Sequence, residues 1–207
     1  NNCATGSTAL MLAREWVESG LVDVALAVGF EQMTKESMSG SGATPTVTTI
    51  DRHLGVMVPQ HGWAQAPMTA QFFGHAATEH MQRYGTTAEQ LAQVAVKNHE
   101  HSTRNPYAQF QDAYTLEQVL ADKPVHGPLT RSQCSPMSDG SAAAVVVSER
   151  FVREHGLADR AVPILGQALV TDTGEAFGGS MIDVVGAPMT RAAGREALSA
   201  AGVSIDD

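Results

Sequence analysis

The fold is decided by residues 7–30, which read STALMLAREWVESGLVDVALAVGF. In the first part of this stretch apolar residues recur at spacings of three and four, which predicts a helix with one apolar stripe over residues 7–19. Gly20 can adopt the left-handed conformation that ends a helix. The apolar, β-branched run over residues 21–30 predicts a buried strand. A helix followed by a buried strand is typical of an α/β protein whose helices pack on a sheet.

The middle of the chain has a different composition. Residues 38–67 are rich in Gly, Ser, Thr, Pro and His and lack a regular hydrophobic period, which predicts an inserted, loop-rich region. Amphipathic helices are predicted to follow it, and one of them begins with Thr87 and Gln90 at the spacing of a capping box. These helices are predicted over residues 66–84, 87–102 and 116–121.

The last third of the chain returns to strongly apolar segments. Small residues followed by β-branched ones predict a buried strand over residues 138–148, and a further strand is predicted over residues 162–171. Helices are predicted over residues 149–155 and 189–201. Together with the opening helix and strand, these segments indicate an α/β fold with a substantial core.

Composition excludes several classes of function. The chain has 207 residues, a formal net charge of −9 and 43% hydrophobic residues, as expected of a globular protein. The acidic balance argues against nucleic-acid binding, which needs clustered Lys and Arg. No apolar stretch approaches the roughly 20 residues of a membrane span. With only Cys3 and Cys134, we expect no disulfide scaffold and a reducing, cytoplasmic location.

Cys3 is the most informative residue of the sequence. It lies in residues 1–7 (NNCATGS), a few positions ahead of the first predicted helix. The free N–H groups and the dipole at a helix start create positive potential, which favours the thiolate, the nucleophilic form of cysteine. Gly6 would let a ligand approach the backbone closely. A buried structural cysteine is the alternative that the residues alone leave open.

Other polar residues carry weaker signals. His99 and His101 alternate, and His75 and His80 flank Glu79, but neither pair has the i, i+4 spacing of a helical zinc site. No metal is therefore expected. The second cysteine lies in residues 131–140 (RSQCSPMSDG), where proline and small polar residues are typical of a plain turn before a strand.

Several of these strings together resemble the thiolase superfamily. The similarity extends over nearly the whole chain, and the closer resemblance is to the sterol carrier protein X type, the lipid-transfer-protein thiolases. It is weakest over residues 44–65 and 172–185. The matching strings are residues 2–7 (NCATGS), 27–33 (AVGFEQM), 97–99 (KNH), 105–112 (NPYAQFQD) and 129–144.

The resemblance implies an architecture. Thiolases of this type have a five-layered αβαβα core made of two similar halves, with a loop domain inserted in the first half to cover the acyl-CoA. By this analogy residues 1–35 are the nucleophile helix and the following strand of the first half. Residues 36–130 are the inserted loop domain. Residues 131–207 contain the closing strand of the first half and the start of the second.

The resemblance also implies site residues. The family's nucleophile corresponds to Cys3, which accepts the acyl group as a thioester before the group passes to coenzyme A. Ser135 corresponds loosely to a position that contacts the pantetheine arm, although it replaces the second cysteine of the common Gln-Cys-Cys-Pro string. Coenzyme A is then a substrate, and neither a further cofactor nor a metal is expected.

Other groups that the family needs are not found in this sequence. They are an Asn-Glu-Ala-Phe or His-Asp-Cys-Phe loop, a Gly-His-Pro histidine and a second cysteine in a Cys-x-Gly string. The family's order places all three after Asp207, so the sequence is expected to be a fragment. Each oxyanion-hole contact is worth about 10²–10³ in rate. Thiolysis by this chain alone is therefore expected to be negligible.

The function implied for the intact protein is that of an acyl-CoA thiolase or acetyl-CoA acetyltransferase acting on a 3-oxoacyl-CoA of lipid or sterol side-chain metabolism. The alternative is a non-catalytic acyl-CoA-binding scaffold, or an aldolase subunit, working with a small OB-fold and zinc-ribbon partner. A ketoacyl synthase relative fits residues 129–144 poorly. By analogy with thiolases, a homodimer or homotetramer is expected.

Overall fold

The computed structural model describes residues 2–33 and 50–206, which belong to two compact units. We call them the sheet unit and the helical unit. None of the helices that the structure describes is long and apolar enough to cross a bilayer. The sheet unit comprises Asn1–Met33, Ser138–Thr171 and Met189–Asp207, and the helical unit comprises Thr34–Met137 and Asp172–Pro188.

The secondary structure of the described residues is mostly helical. The helices are α1 (Thr5–Glu18), α2 (Asp51–His61), α3 (Met68–Tyr84), α4 (Ala88–Ser102), α5 (Leu116–Ala121), α6 (Glu149–Glu154), α7 (Met181–Val184) and α8 (Ala187–Ala201). The strands are β1 (Val24–Glu31), β2 (Pro124–His126), β3 (Leu129–Thr130) and β4 (Gly140–Val147). Short 3-10 turns lie at Asn2–Ala4, Arg131–Gln133 and Gly174–Phe177.

The sheet unit is built on an antiparallel pair of strands. β1 pairs with β4 along its full length, from Val24 opposite Val147 to Glu31 opposite Gly140. α1 precedes β1 and packs on it. Gly20, with a φ of 75°, turns the chain out of α1. The predicted first helix is confirmed, and strands form within residues 21–30 and 138–148 as predicted. The prediction that these strands are buried is wrong for the described residues, because Ala27 is the one buried residue of β1 and β4 has none. Both strands keep apolar side chains exposed, since the described residues place no further layer over them.

The predicted strand over residues 162–171 is wrong. This segment has no regular secondary structure, and both sheets found in the described residues are formed by other segments. The apolar run instead lies against α8, where a Cβ on Gly166 would be 2.1 Å from the carbonyl oxygen of Ala197. A strand needs a neighbouring strand to satisfy its backbone groups, so an apolar run alone does not make one.

The helical unit has its main core between α2, α3 and α7. Its buried residues are Met57, Phe72, Ala76, Met181 and Val184. α2 corrects the prediction of a loop-rich region over residues 38–67, of which residues 38–49 lie outside the described residues. Gly55 and Pro59 lower the helix propensity of this segment, so its sequence does not predict a helix. The helix forms because burial of Met57 outweighs that low propensity.

Uncharged capping boxes begin several segments of the helical unit. In each box a threonine hydroxyl accepts a bond from the backbone N–H three residues on, and a glutamine side chain there accepts from the threonine N–H. The box predicted before α4 is confirmed, and two more were not predicted. The boxes pair Thr87 with Gln90, Thr115 with Gln118, and Thr130 with Gln133.

The α2–α3–α7 core yields a test of stability. Met57→Ala should lower the free energy of unfolding by about 2–5 kcal/mol, because it removes a fully buried side chain and leaves a cavity. Val58→Ala, at the neighbouring position of α2 that is 39% exposed, should cost much less. Chemical denaturation of both variants would measure the difference, and equal losses would contradict the packing described.

Candidate functional site

Cys3 lies in the 3-10 turn Asn2–Ala4, immediately before α1, and its thiol is free and exposed. The N-cap residue of α1, Ala4, provides no side-chain hydrogen bond, and the first turn contains no acidic residue. Neither the N-cap side chain nor a carboxylate of the first turn therefore offsets the positive end of α1 in the described part of the chain. An anion formed at Cys3 would meet this positive potential.

Two glycines set the height of α1 above β1. A Cβ on Gly29 would lie 3.3 Å from the Cα of Gly6, a contact between backbones that no side-chain movement can relieve. The tight position is Gly29, because a Cβ on Gly6 would lie 3.8 Å from the Cα of Gly29, an ordinary van der Waals distance. The glycine pair thereby fixes the position of the turn that carries Cys3.

Ser135, the predicted substrate-binding residue, lines a cavity of about 990 Å³ in the helical unit. We call this cavity the α4 pocket, because one wall is formed by α4. Its lining is mainly apolar, with Asn98, His99 and Gln133 among the polar residues. The apolar lining residues include Leu91, Val94 and Ala95 of α4 and, beyond it, Phe110, Tyr114 and Leu129.

One carboxylate holds the segment that leads to Ser135. Asp122 accepts hydrogen bonds from the Ser132 hydroxyl at 2.6 Å and backbone N–H at 2.9 Å, and pairs with Arg131 at 2.9 Å. It also accepts from the backbone N–H of Lys123 at 2.8 Å. These bonds, led by that from Ser132, lower the pKa of Asp122 to about 2. The pocket wall is therefore held by an ionised group throughout the neutral range.

The second cysteine also lines the α4 pocket. Cys134 is free and half-buried, and burial raises the pKa of its thiol. Less thiolate is available there at neutral pH, so its surroundings do not activate it as a nucleophile.

The structure places the two predicted site residues in different units, Cys3 in the sheet unit and Ser135 in the helical unit.

Two of the histidines weighed as metal ligands, His99 and His80, have other partners. His99 contacts the backbone oxygen of Ser132 through Nε2 at 3.1 Å and its ring packs on Tyr114. His80 contacts the Thr86 hydroxyl at 2.8 Å. Among residues 2–33 and 50–206, no group of three His, Cys, Asp or Glu side chains is arranged to hold a metal ion.

Sequence analysis missed the contact of one of these histidines, His75, with two further imidazoles. His75 lies against His61 and His126 in the helical unit. His126 is remote from His75 in sequence, so no local spacing could have revealed the contact. The close approach of Gly74 to His126 could not be predicted from the sequence either.

Comparison with known proteins assigns the class. The family model for the thiolase N-terminal domain matches residues 1–115, more than half of the chain. The chain belongs to the thiolase family, as its resemblance indicated.

Two individual relatives show which known proteins of the thiolase family this chain is similar to. The chain is 47% identical over 208 residues to Sterol carrier protein 2 of Gallus gallus, covering 100% of this chain and 38% of that protein. It is 38% identical over 154 residues to the acetyl-CoA acetyltransferase of Methanothermobacter thermautotrophicus, covering 74% of this chain and 37% of that protein. The chain therefore spans well under half the length of these relatives.

A solved structure confirms the predicted fold class. The Ltp2-ChsH2(DUF35) aldolase superposes on this chain with a TM-score of 0.71 at 23% identity, covering 98% of this chain and 50% of that chain. At this identity the similarity establishes a thiolase-like α/β fold.

The environments of the two thiols predict different reactivity. With limiting iodoacetamide at neutral pH, Cys3 should be alkylated at least about tenfold faster than Cys134, because Cys3 is exposed whereas burial shields Cys134 and raises the pKa of its thiol. Peptide mass spectrometry of the full-length polypeptide that carries this sequence would measure both rates, with each cysteine as the other's control. Equal rates would contradict the role given to the start of α1.

The bonds of Asp122 predict a local change in stability. Asp122→Asn should speed hydrogen exchange at the Ser132 amide about tenfold, because the charge-assisted bond is lost. Asp159→Asn, at an exposed position of the sheet unit, should leave it unchanged.

The same bonds set the pH dependence. Because the pKa is lowered from 3.8 to about 2, the stabilisation by Asp122 is present above about pH 3.8 and is lost as the pH falls through 2. A Ser132 amide whose protection is insensitive to Asp122→Asn would contradict this assignment.

Proposed function

We propose that the full-length protein is an acyl-CoA thiolase or acetyl-CoA acetyltransferase that carries its acyl group on Cys3. The observation on which the proposal rests is the position of that exposed thiol at the uncapped start of α1 in a thiolase-family chain. A helix start supplies positive potential to an attacking thiolate without needing a cofactor.

The proposed reaction has two half-reactions. The Cys3 sulfur attacks the C3 carbonyl of a 3-oxoacyl-CoA, and the C2–C3 bond breaks. Its electron pair goes to C2, which takes a proton and leaves as acetyl-CoA. The thiol of a second coenzyme A then attacks the Cys3 thioester, which forms a shortened acyl-CoA and restores the Cys3 thiol. The family resemblance assigns the proton transfers to a histidine and a further cysteine outside residues 1–207.

The α4 pocket supports a role in binding the neutral part of the substrate. Among its lining residues, Asp122 and Arg131 pair with each other, so the pocket presents little net charge. A mainly apolar wall with scattered amides and hydroxyls suits a pantetheine arm or an acyl chain better than phosphates. Ser135 would contribute its hydroxyl to such a ligand.

The organisation of the whole protein forms part of the proposal. Residues 1–35 and 131–207 would belong to the thiolase core, and residues 36–130 to the loop domain over the acyl-CoA. We further propose a homodimer or homotetramer and a cytoplasmic location, the latter supported by two free cysteines.

A second candidate is an aldolase subunit, or a non-catalytic scaffold, that works with a small partner. The similar solved structure is an aldolase named together with a DUF35 protein, which favours this candidate. Retention of Cys3 argues against it, because carbon–carbon cleavage of this kind does not need that thiol. In this case a small OB-fold and zinc-ribbon protein would co-purify with the chain.

The proposal is tested by trapping the acyl-enzyme. The full-length polypeptide is incubated with a 3-oxoacyl-CoA, and its peptides are examined for a thioester by mass spectrometry. We expect an adduct on Cys3 that is absent from Cys3→Ala and retained by Cys134→Ala. Loss of the nucleophile should lower turnover by about three orders of magnitude or more. Turnover that survives Cys3→Ala would refute the proposal, and cleavage that requires a co-purified partner would favour the aldolase.

A further inference from the structure

Three imidazoles meet in the helical unit where α2, α3 and β2 come together. His61, the last residue of α2, stacks on His75 of α3 with ring centroids 4.0 Å apart and planes within 14°. The ring of His126, the last residue of β2, meets His75 edge to face at 4.5 Å. The Nε2 atoms of His75 and His126 lie 3.1 Å apart.

The contact between these Nε2 atoms requires one shared proton. Two neutral nitrogens whose lone pairs face each other repel, so one ring must donate N–H to the lone pair of the other. When both rings are protonated, both nitrogens are donors, the bond is lost, and two positive charges face each other. The pair is therefore attractive in one protonation state and repulsive in another.

Glycines make the contact close. A Cβ on Gly74 would lie 2.8 Å from the His126 backbone oxygen and 2.8 Å from its ring. Gly127, with a φ of 55°, turns the chain directly above Gly74, where a Cβ would lie 2.9 Å from the Gly74 oxygen. The tip of the β2–β3 hairpin thus lies against the backbone of α3, and little room exists for the two rings to move apart.

The two ends of the hairpin are held differently. Its base is fixed by backbone and side-chain bonds, from the Arg131 N–H to the Lys123 oxygen at 2.8 Å and from the Thr130 hydroxyl to the Val119 oxygen at 2.8 Å. At its tip, the side-chain hydrogen bond to α3 is the one between His126 and His75. A change at this pair would therefore act on the tip first.

A metal site does not account for the cluster. Bonds from an imidazole to a metal lie in the plane of the ring, and the nearly parallel rings of His61 and His75 cannot direct nitrogens at one ion between them. This agrees with the finding that no three such side chains in the described part of the chain form a metal-binding group. The remaining property of the cluster is its response to protons.

We propose that His75 and His126 form a pH-sensitive latch that holds the β2–β3 hairpin against α3 at neutral pH and releases it in mildly acidic conditions. The hairpin continues directly into Arg131–Gln133, the turn that lines the α4 pocket. Release of the hairpin tip would therefore change the pocket lining at Leu129, while the bonds at the base keep Arg131 in place. The latch does not depend on the chemistry proposed for Cys3.

Several charged groups on the elements packed against the latch have partners other than His75 and His126. On α2, Arg52 lies over the Phe177 ring and His53 pairs with Asp172, so neither is directed to His75. On α3 itself, the carboxylate of Glu79 accepts bonds from the Ser180 hydroxyl at 2.7 Å and from the Met181 N–H.

The groups that do act on His75 are two further imidazoles. Burial lowers the pKa of His75, and the charges of His61 and His126 lower it further. On α7 the titratable residue is Asp183, which is not among the groups that shift it. Folding lowers the pKa of His75 below its ordinary value of 6.5, so the folded state favours the neutral ring. The stabilisation of the fold by neutral His75 is therefore complete above pH 6.5 and is lost as the pH falls below 6.5.

Hydrogen exchange on the full-length polypeptide tests the latch. We compare about pH 7.5 with about pH 5.5, a range in which histidine titrates, after correction for the intrinsic exchange rate. In the wild type, amides of residues 125–130 should exchange about tenfold faster at the lower pH, because one hydrogen bond is lost. Amides in the middle of α4 should keep the same protection.

Variants identify the groups responsible. His75→Gln and His126→Gln keep a side chain that can donate and accept but does not titrate, so each should abolish most of the acceleration. His155→Gln, a substitution in the sheet unit, should leave it intact. Hairpin exchange that is equal at both pH values in the wild type, or acceleration that persists in both glutamine variants, would overturn the latch.

A second measurement covers variants that fail to fold. Nuclear magnetic resonance of the wild type labelled at histidine nitrogens should show the hydrogen bond between the Nε2 atoms of His75 and His126 at neutral pH and its loss in mild acid. A hydrogen bond that persists in mild acid, or that is absent at neutral pH, would overturn the proposal. Its loss together with exposure of the hairpin would support it.

Discussion

The site depends on a contact between two backbones, where the first turn of α1 crosses β1. Gly6 and Gly29 bring these backbones so close that a Cβ added at Gly29 would lie 3.3 Å from the Cα of Gly6, and the first turn of α1 would have to shift slightly to accept it. The helix start, and with it Cys3, has its position defined by main-chain atoms rather than by adjustable side chains. A nucleophile held in this way keeps its geometry while the residues around it change, which suits a reaction that requires close alignment of the reacting atoms.

Sequence analysis succeeds where a signal is local. The period of the apolar residues gave α1, α3 and α4, and runs of β-branched residues gave β1 and β4. Cys3 was found in the same way, because a cysteine ahead of a helix is visible in a few consecutive residues. Its surroundings at the uncapped start of α1 agree with that analysis, while its acylation remains a prediction.

Sequence analysis fails where distant segments decide the structure. α2 contains Gly55 and Pro59 and forms because Met57 is buried, which depends on residues far along the chain. The run over residues 162–171 has the composition of a strand but packs on α8. The contact of His75 with His126 likewise depends on a hairpin brought to α3 by tertiary packing. In none of these three cases does a local sequence pattern indicate the contact with the distant segment.

The threonine–glutamine capping boxes distinguish parts of the helical unit that keep their hydrogen bonds in acid from the hairpin, which is proposed to lose one. A glutamine in place of the usual glutamate gives a box with no proton to gain, so its reciprocal bonds are the same at pH 5 as at pH 8. The threonine–glutamine bonds at the starts of α4 and α5 thus persist in mild acid, and the lowered pKa values of Glu89 and Glu117 keep those carboxylates ionised there as well. The neighbouring hairpin can then respond to protons while these helix starts stay fixed. A fall in pH would in this way alter the lining of one pocket without melting the helices that support it.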